Sequence, residues 1–332
     1  MDSIYYFFTP VLAYVFRPIY NFLTSFGVPE NYLLAILVFT VLIRLILLPS
    51  TVKQQKGTAK QMRMQAKIRR IQEKYKDYQG RDKQQLIQQE TQELYAKEGF
   101  SASSAGCLPL LIQLPVLSGL YGIIRFPLKY VLKIDQATID TMVEAIKDLL
   151  PQGKQTSFYQ ELYVLQNLDS VVERCPDISA DVFDKMRTLD FSFLGMNLGE
   201  IPQFSTLKNI FSADVTKSAK LLLLIPLFAI ITSLLSSVLT QVRQKKQNPD
   251  QANNQMMGCM MFSMPLFSLY TFLFPAGMGI YWIISNVLSF LQTLIIGYTH
   301  SPKKLVAKVM IEETIERRSK ENNTKIQIEK NL

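Results

Sequence analysis

Five long apolar blocks, near positions 30–50, 105–133, 218–240, 256–274 and 277–298, most constrain what this chain can fold into. Each is roughly 20 residues or longer, about what a helix needs to cross the hydrocarbon of a bilayer. Gly and Pro interrupt some of them, and membrane helices tolerate both. A soluble protein of 332 residues that is 48% hydrophobic would suggest two domains. Here the apolar residues are clustered, so the fold class is an all-α polytopic membrane protein with five transmembrane helices.

Charge placement orients those spans. Segment 51–104 carries 12 Lys+Arg against 6 Asp+Glu, and segment 134–217 carries 7 against 13. The loop 241–255 has 3 against 1, and the tail 299–332 has 8 against 5. Basic segments stay on the cytoplasmic side, which puts the N-terminus outside and the C-terminus inside a cell membrane. The short loop 241–255 and the basic stretch after Pro49 carry this assignment, because the acidic segment is 84 residues long. The net charge of +9 needs no nucleic-acid explanation. The tail 299–332 has the charge to meet ribosomal RNA or anionic lipid; a solvated tail explains it equally.

The soluble pieces are legible in outline. Residues 1–29 are aromatic-rich, with Pro10 and Pro18 breaking the apolar run and the first basic residue at Arg17. They read as an amphipathic helix lying in the interface, with a signal segment or a partial span as alternatives. In 51–104, Met64, Ile68, Ile71, Tyr75 and Tyr78 recur at spacings of 4, 3, 4 and 3, a heptad seam. With Gly80 as the turn and Leu86, Ile87, Leu94 and Tyr95 beyond it, the segment is a cytoplasmic helical hairpin. It is either a packed arm or a capture arm for a partner or headgroups. Segment 134–217 is an external helical insert, with stretches near 136–150, 158–173 and 179–188 and no nameable chemistry. Its Asp181 and Asp184 belong to a solvated face. Three scattered Cys and one His leave little material for metal binding or Cys/His catalysis.

Polar residues inside the spans are the candidate site. Thr232, Ser233, Ser236 and Ser237 share one face of the third span, continued by Thr240. Trp282, Ser285, Asn286 and Ser289 share a face of the fifth. Gln113 lies between Pro109 and Pro115 in the second, and Thr40 and Arg44 are one turn apart in the first. Hydroxyls of this kind often bond their own i−4 carbonyl or knit neighbouring helices. If the stripes converge they line a wet cavity. Arg44 either snorkels to the cytoplasmic interface or lines that cavity; a central arginine costs about 2.5–3.5 kcal/mol on insertion scales. Met256, Met257, Met260, Met261 and Met264 stripe the fourth span, as gap fillers or as an adaptable hydrophobic slide. Pro115, Ser118, Gly119 and Gly122 form a small-residue face that implies close helix contact.

These residues together resemble the YidC family of membrane protein insertases. "VLIRLILLP" looks like that family's first core span, and "GCLPLLIQLPVLSGLY" is similar to its second. "LLLLIPLFAIITSLLSSVL" sits where the third lies, and "FPAGMGIYWIISNVLSFLQ" looks like the last. The resemblance covers roughly 1–133 and 218–300; segment 134–217 is longer than the usual external connection of small members.

The resemblance implies an insertase and chaperone, not an enzyme, without cofactor or metal. Its spans would enclose a hydrophilic groove open to the cytoplasm and to lipid, with Arg44 as its positive centre. By position, Gln113 and Trp282 match residue types placed around that groove, while Ser237 stands where relatives carry glutamine. Partners would be nascent membrane proteins and the phospholipid bilayer, with or without the ribosome and the general secretion translocon. No G-x-x-x-x-G-K-[ST] phosphate loop is present. The rival readings are a small-solute anion transporter, although no internal repeat is seen, and a structural subunit of a membrane complex.

Overall fold

The computed structural model describes residues 2–78, 81–97, 108–150, 158–203, 216–247 and 268–299, together with positions 307, 310, 311, 314, 315 and 317–322. The chain forms two units. One gathers residues up to Ile46, the stretch from Leu111 to Val238 and the stretch ending at Ser289; the other gathers the remainder. The described chain is mostly helical. Among the described residues three helices are long and apolar enough to cross a membrane, over Asn31–Lys53, Lys217–Thr240 and Ala276–Ile296.

In the first unit, α1 (Asp2–Ser25) runs unbroken through Pro10 and Pro18, where the sequence suggested breaks. Both prolines sit on the exposed side of the helix. Thr9, Ala13, Phe16 and Tyr20, spaced 4, 3 and 4, form a buried stripe. The Phe16 ring meets Tyr32 and Phe39 of α2 (Asn31–Lys74) edge-on, with centroids 5.8 and 5.7 Å away. Gly119 and Gly122 of α4 (Leu108–Arg125) lie so close to Leu12 and Thr9 that a Cβ would have no room. The small-residue face of the second span is therefore the seat of α1. Its other face carries exposed Phe7, Val11, Tyr14 and Phe22. So α1 packs lengthwise on α2 and α4.

After Arg125 the chain makes one more turn, α5 (Pro127–Tyr130), and enters the insert. There α6 (Gln136–Ala145), α7 (Gln160–Gln166), α8 (Leu168–Arg174) and α9 (Ala180–Arg187) surround buried Ile139, Met142, Leu162, Val171, Phe183 and Met186. Asp135 caps α6 by accepting from the Thr138 amide at 2.9 Å. The second expected stretch divides at Asn167, and the insert is not purely helical. Strands β1 (Ser192–Phe193) and β2 (Met196–Asn197) form an antiparallel hairpin. Its turn residues Leu194 and Gly195 both have positive φ, 50° and 79°, as a tight twisted hairpin requires. Asp181 and Asp184 pair on the surface with Lys185 and Arg187, consistent with a solvated face.

The insert is tied to the ends of three helices. Asn31, at the start of α2, donates from Nδ2 to the Thr188 carbonyl at 2.8 Å and accepts from the Asp190 amide at 3.3 Å. Buried Glu161 accepts at Oε2 from the amides of Leu128 and Lys129 at 2.7 and 3.2 Å, covering the start of α5. Ala276 and Gly277, the first residues of the last helix, donate to the carbonyls of Glu200 and Leu198 at 2.8 and 2.9 Å. The starts of α5 and α11, which would otherwise carry orphan N–H groups, are thus closed by the insert.

In the second unit, α2 continues to Lys74, so the first span and the first hairpin arm are one 44-residue helix with Pro49 inside it. Helix α3 (Arg81–Lys97) is the return arm. Met64, Ile68 and Tyr75 are buried and Ile71 is half-buried, but Tyr78 is exposed. The seam therefore ends one turn earlier than its spacing suggested, because the helix stops at Lys74. Glu90 of α3 accepts from Tyr75 Oη at 2.7 Å and pairs with Lys74, closing the hairpin.

Candidate functional site

The site lies where α2 and α4 meet α11 (Ala276–Thr299), with α10 (Lys217–Gln247) on the other side of α11. A Cβ on Gly279 would come within 2.5 Å of Ile225 Cγ2, so the missing side chain is what lets α10 and α11 approach. Successive residues on a helix point about 100° apart. Ser285 and Asn286 therefore face different neighbours and organise two polar clusters.

The first cluster belongs to Arg44. Its Nη2 donates to the Ser285 carbonyl at 3.1 Å and to Ser285 Oγ at 2.5 Å. The side chain thus reaches across to α11 and does not run along its own helix towards the headgroups. Gln113 Nε2 donates to Tyr281 Oη at 2.7 Å, and that hydroxyl also bonds the Ser285 side chain. Gln113, Tyr281, Ser285 and Arg44 therefore make one continuous polar chain from three helices. Tyr281 is buried. Among the described residues no carboxylate pairs with Arg44, and its Nε and Nη1 donate to none of them. A guanidinium has five donors, so most of this one's hydrogen-bonding capacity is uncommitted.

The second cluster belongs to Asn286. Its Nδ2 donates to Ser233 Oγ at 2.9 Å and Thr232 Oγ1 at 3.2 Å. Ser236 Oγ donates back to the Asn286 carbonyl at 3.3 Å. Thr232 also returns its hydroxyl to the Phe228 carbonyl at 2.7 Å. These groups knit α10 to α11, the packing role that serines and threonines commonly take in membrane helices. Thr40 is buried and donates to its own Ile36 carbonyl at 2.6 Å, so it is satisfied within α2.

The sequence stripes thus separate. Arg44, Gln113 and Ser285 come together; Thr232, Ser233, Ser236 and Asn286 come together elsewhere. Ser237, Trp282 and Ser289 are half-buried on the same helix faces. Met256, Met257, Met260, Met261 and Met264 lie outside the described residues. At the end of that apolar block, Ser268–Leu273 is a 3-10 helix, not the α-helix expected to reach 274. Tyr281 was missed from sequence. Its signal was available: it stands four residues before Ser285, on the same face, in a span otherwise searched for serine and tryptophan.

A family model described as 60Kd inner membrane protein matches residues 22–304. The protein named Membrane protein insertase YidC 2 from Listeria innocua is 26% identical over 294 residues, 87% of this chain and 73% of that protein. Membrane protein insertase YidC from Oceanobacillus iheyensis is 26% identical over 276 residues, 83% of this chain and 78% of that one. Membrane protein insertase MisCA from Bacillus subtilis is 37% identical over 92 residues, 28% of this chain and 34% of its own length. The match takes in α2, α4, α10 and α11, the four helices that carry the polar clusters, and this chain belongs to the 60Kd inner membrane protein family.

Proposed function

We propose that the chain is a membrane protein insertase that receives nascent hydrophobic segments in a cytoplasm-facing groove centred on Arg44 and releases them sideways into lipid. It is a multi-pass protein of the cell membrane. In this reading five spans frame the groove, with the N-terminus outside and the C-terminus in the cytoplasm. The observation that carries it is the Arg44 guanidinium, held to α11 through one nitrogen while the other two donate to nothing among the described residues. Such a group favours water, hydroxyls or a passing carboxylate. A client's acidic or polar end lodges there briefly, and its apolar stretch leaves along Met256–Met264. Burial of that stretch, at about 25 cal/mol per Å², drives release. The hairpin of α2 and α3 receives the chain, and Gln113 and Tyr281 hold the groove's wall. Ser237, Trp282 and Ser289 stand beside the path.

Site-specific photocrosslinking tests this directly. Probes at Ser237, Trp282 and Ser289 should capture a stalled nascent membrane protein, whereas probes at Leu235 and Ile295, both well exposed on the apolar sides of their helices, should capture mainly lipid. Equal capture from both sets removes the groove.

A further inference from the structure

We infer that this chain holds one anionic phospholipid headgroup in a cavity beside the end of α1. The cavity measures about 660 Å³ and lies between α1, the residues that follow α5, and α9 of the insert. Its wall contains Arg17, Lys133 and Lys185 and no carboxylate, with Asn21, Thr24 and Ser25 as further polar groups.

Each cation has its own structural setting. Arg17 spends Nε on the Tyr130 carbonyl at 2.5 Å, which fixes the guanidinium and leaves its Nη nitrogens for an anion. Lys185 is steadied by Asp181 at 2.8 Å, its own helix neighbour. Lys133 is the most telling. Its φ is +58°, a left-handed backbone in which glycine would sit without strain. A non-glycine residue there costs on the order of 1 kcal/mol or more, and nothing in the local turn asks for a lysine. The charged side chain supplies a reason.

Depth identifies the ligand as lipid. The apolar run of α1 ends at Ser25, that of α2 begins at Asn31, and the second apolar block ends at 133. The cavity opens where hydrocarbon-matched helices give way to the insert, the level of headgroups. Along the exposed stripe of α1, Phe7, Val11 and Tyr14 give way to Asn21 and Ser25, which stand interleaved with exposed Phe22 and Phe26. Acyl chains match the first part and a phosphate the second. Arg17 and Lys133, neither of them paired with an acid among the described residues, together with Lys185, which is shared with Asp181, select a net anionic headgroup over a zwitterionic one.

The test uses the full chain in mild detergent and reads its thermal midpoint. Short-chain phosphatidylglycerol should raise the midpoint saturably. The double variant Lys133→Gly, Lys185→Gln should need about tenfold more lipid or higher for the same shift, from two lost cation contacts. Phosphatidylcholine of the same chain length, inorganic phosphate and a soluble acidic peptide should give little. An equal shift with phosphatidylcholine, or a full shift with phosphate or the peptide, overturns the assignment. So does an unchanged lipid response in the variant. Lys133→Gly alone should not lower the lipid-free midpoint, since it relieves strain; a clear drop makes Lys133 structural and overturns its role.

Discussion

Two residues carry opposite lessons about charge in low dielectric. Arg44 keeps a full charge among apolar helices, with Ser285 its only direct partner among the described residues. Arg44→Ala should impair insertion of clients with acidic outer segments, and Arg44→Lys should be tolerated, measured as protease-protected product in proteoliposomes. Equal activity of the two variants removes Arg44 from the mechanism. Glu161 is buried in the insert, and burial pushes its carboxyl up to about 8 from an ordinary 4.5, against the pull of the two amides that donate to it. The folded chain therefore holds a proton that the unfolded chain releases. That stabilisation is complete below the unfolded value and is lost as pH rises through about 8. Thermal midpoints should fall between about pH 4.5 and 8 in the wild type and level off above that, and the fall should largely vanish in Glu161→Gln, whose amide oxygen can take the same two bonds. The arginine could be read from sequence because a charge in an apolar run is conspicuous. Glu161 could not: one glutamate among thirteen acids in 134–217 gives no sign that it alone is buried.

Helix positions were legible wherever apolar length or periodicity was strong, and contacts were legible wherever small residues left only one explanation. Gly119 and Gly122 pointed to close packing, and α1 is what fills the space. Gly122→Val should cost about 1–3 kcal/mol by overpacking, seen as a lower thermal midpoint. Thr9→Ala should return part of that loss, because the two side chains would occupy the same volume. The polar stripes show which residues share a face, not what stands opposite them. Helical spacing shows that Thr232, Ser233 and Ser236 share a face; it does not show that Asn286 stands opposite and takes up their hydrogen bonds. Asn286→Leu should loosen α10 from α11 by about 0.6–1.7 kcal/mol, the range measured for such bonds in membranes, and disulfide trapping between cysteines placed on the two helices reports it. The 44 residues of α2 were hidden for a different reason. A change of composition at Pro49 looks like the end of an element, yet a helix can pass from lipid to water without any break in its backbone.

For the molecule as a whole, orientation is the property that charge counting reaches and geometry does not. In a cysteine-free background, an impermeant maleimide should label Glu144→Cys on intact cells. It should label Gln85→Cys only after permeabilisation. The reverse pattern inverts the proposed topology. The insert was the least legible part, since it matches no simple pattern and its two short strands depend on a turn of only two residues. Its carbonyls at Leu198 and Glu200 nevertheless receive the first amides of α11. This fixes an order of events during synthesis. The ribosome makes α11 last among the described spans, and its opening turn lacks these acceptors until the insert has folded. In the proposed topology the insert, some eighty residues of acidic chain, lies on the far side of the bilayer, so a newly made copy would have to export a sizeable domain of its own before α11 can settle.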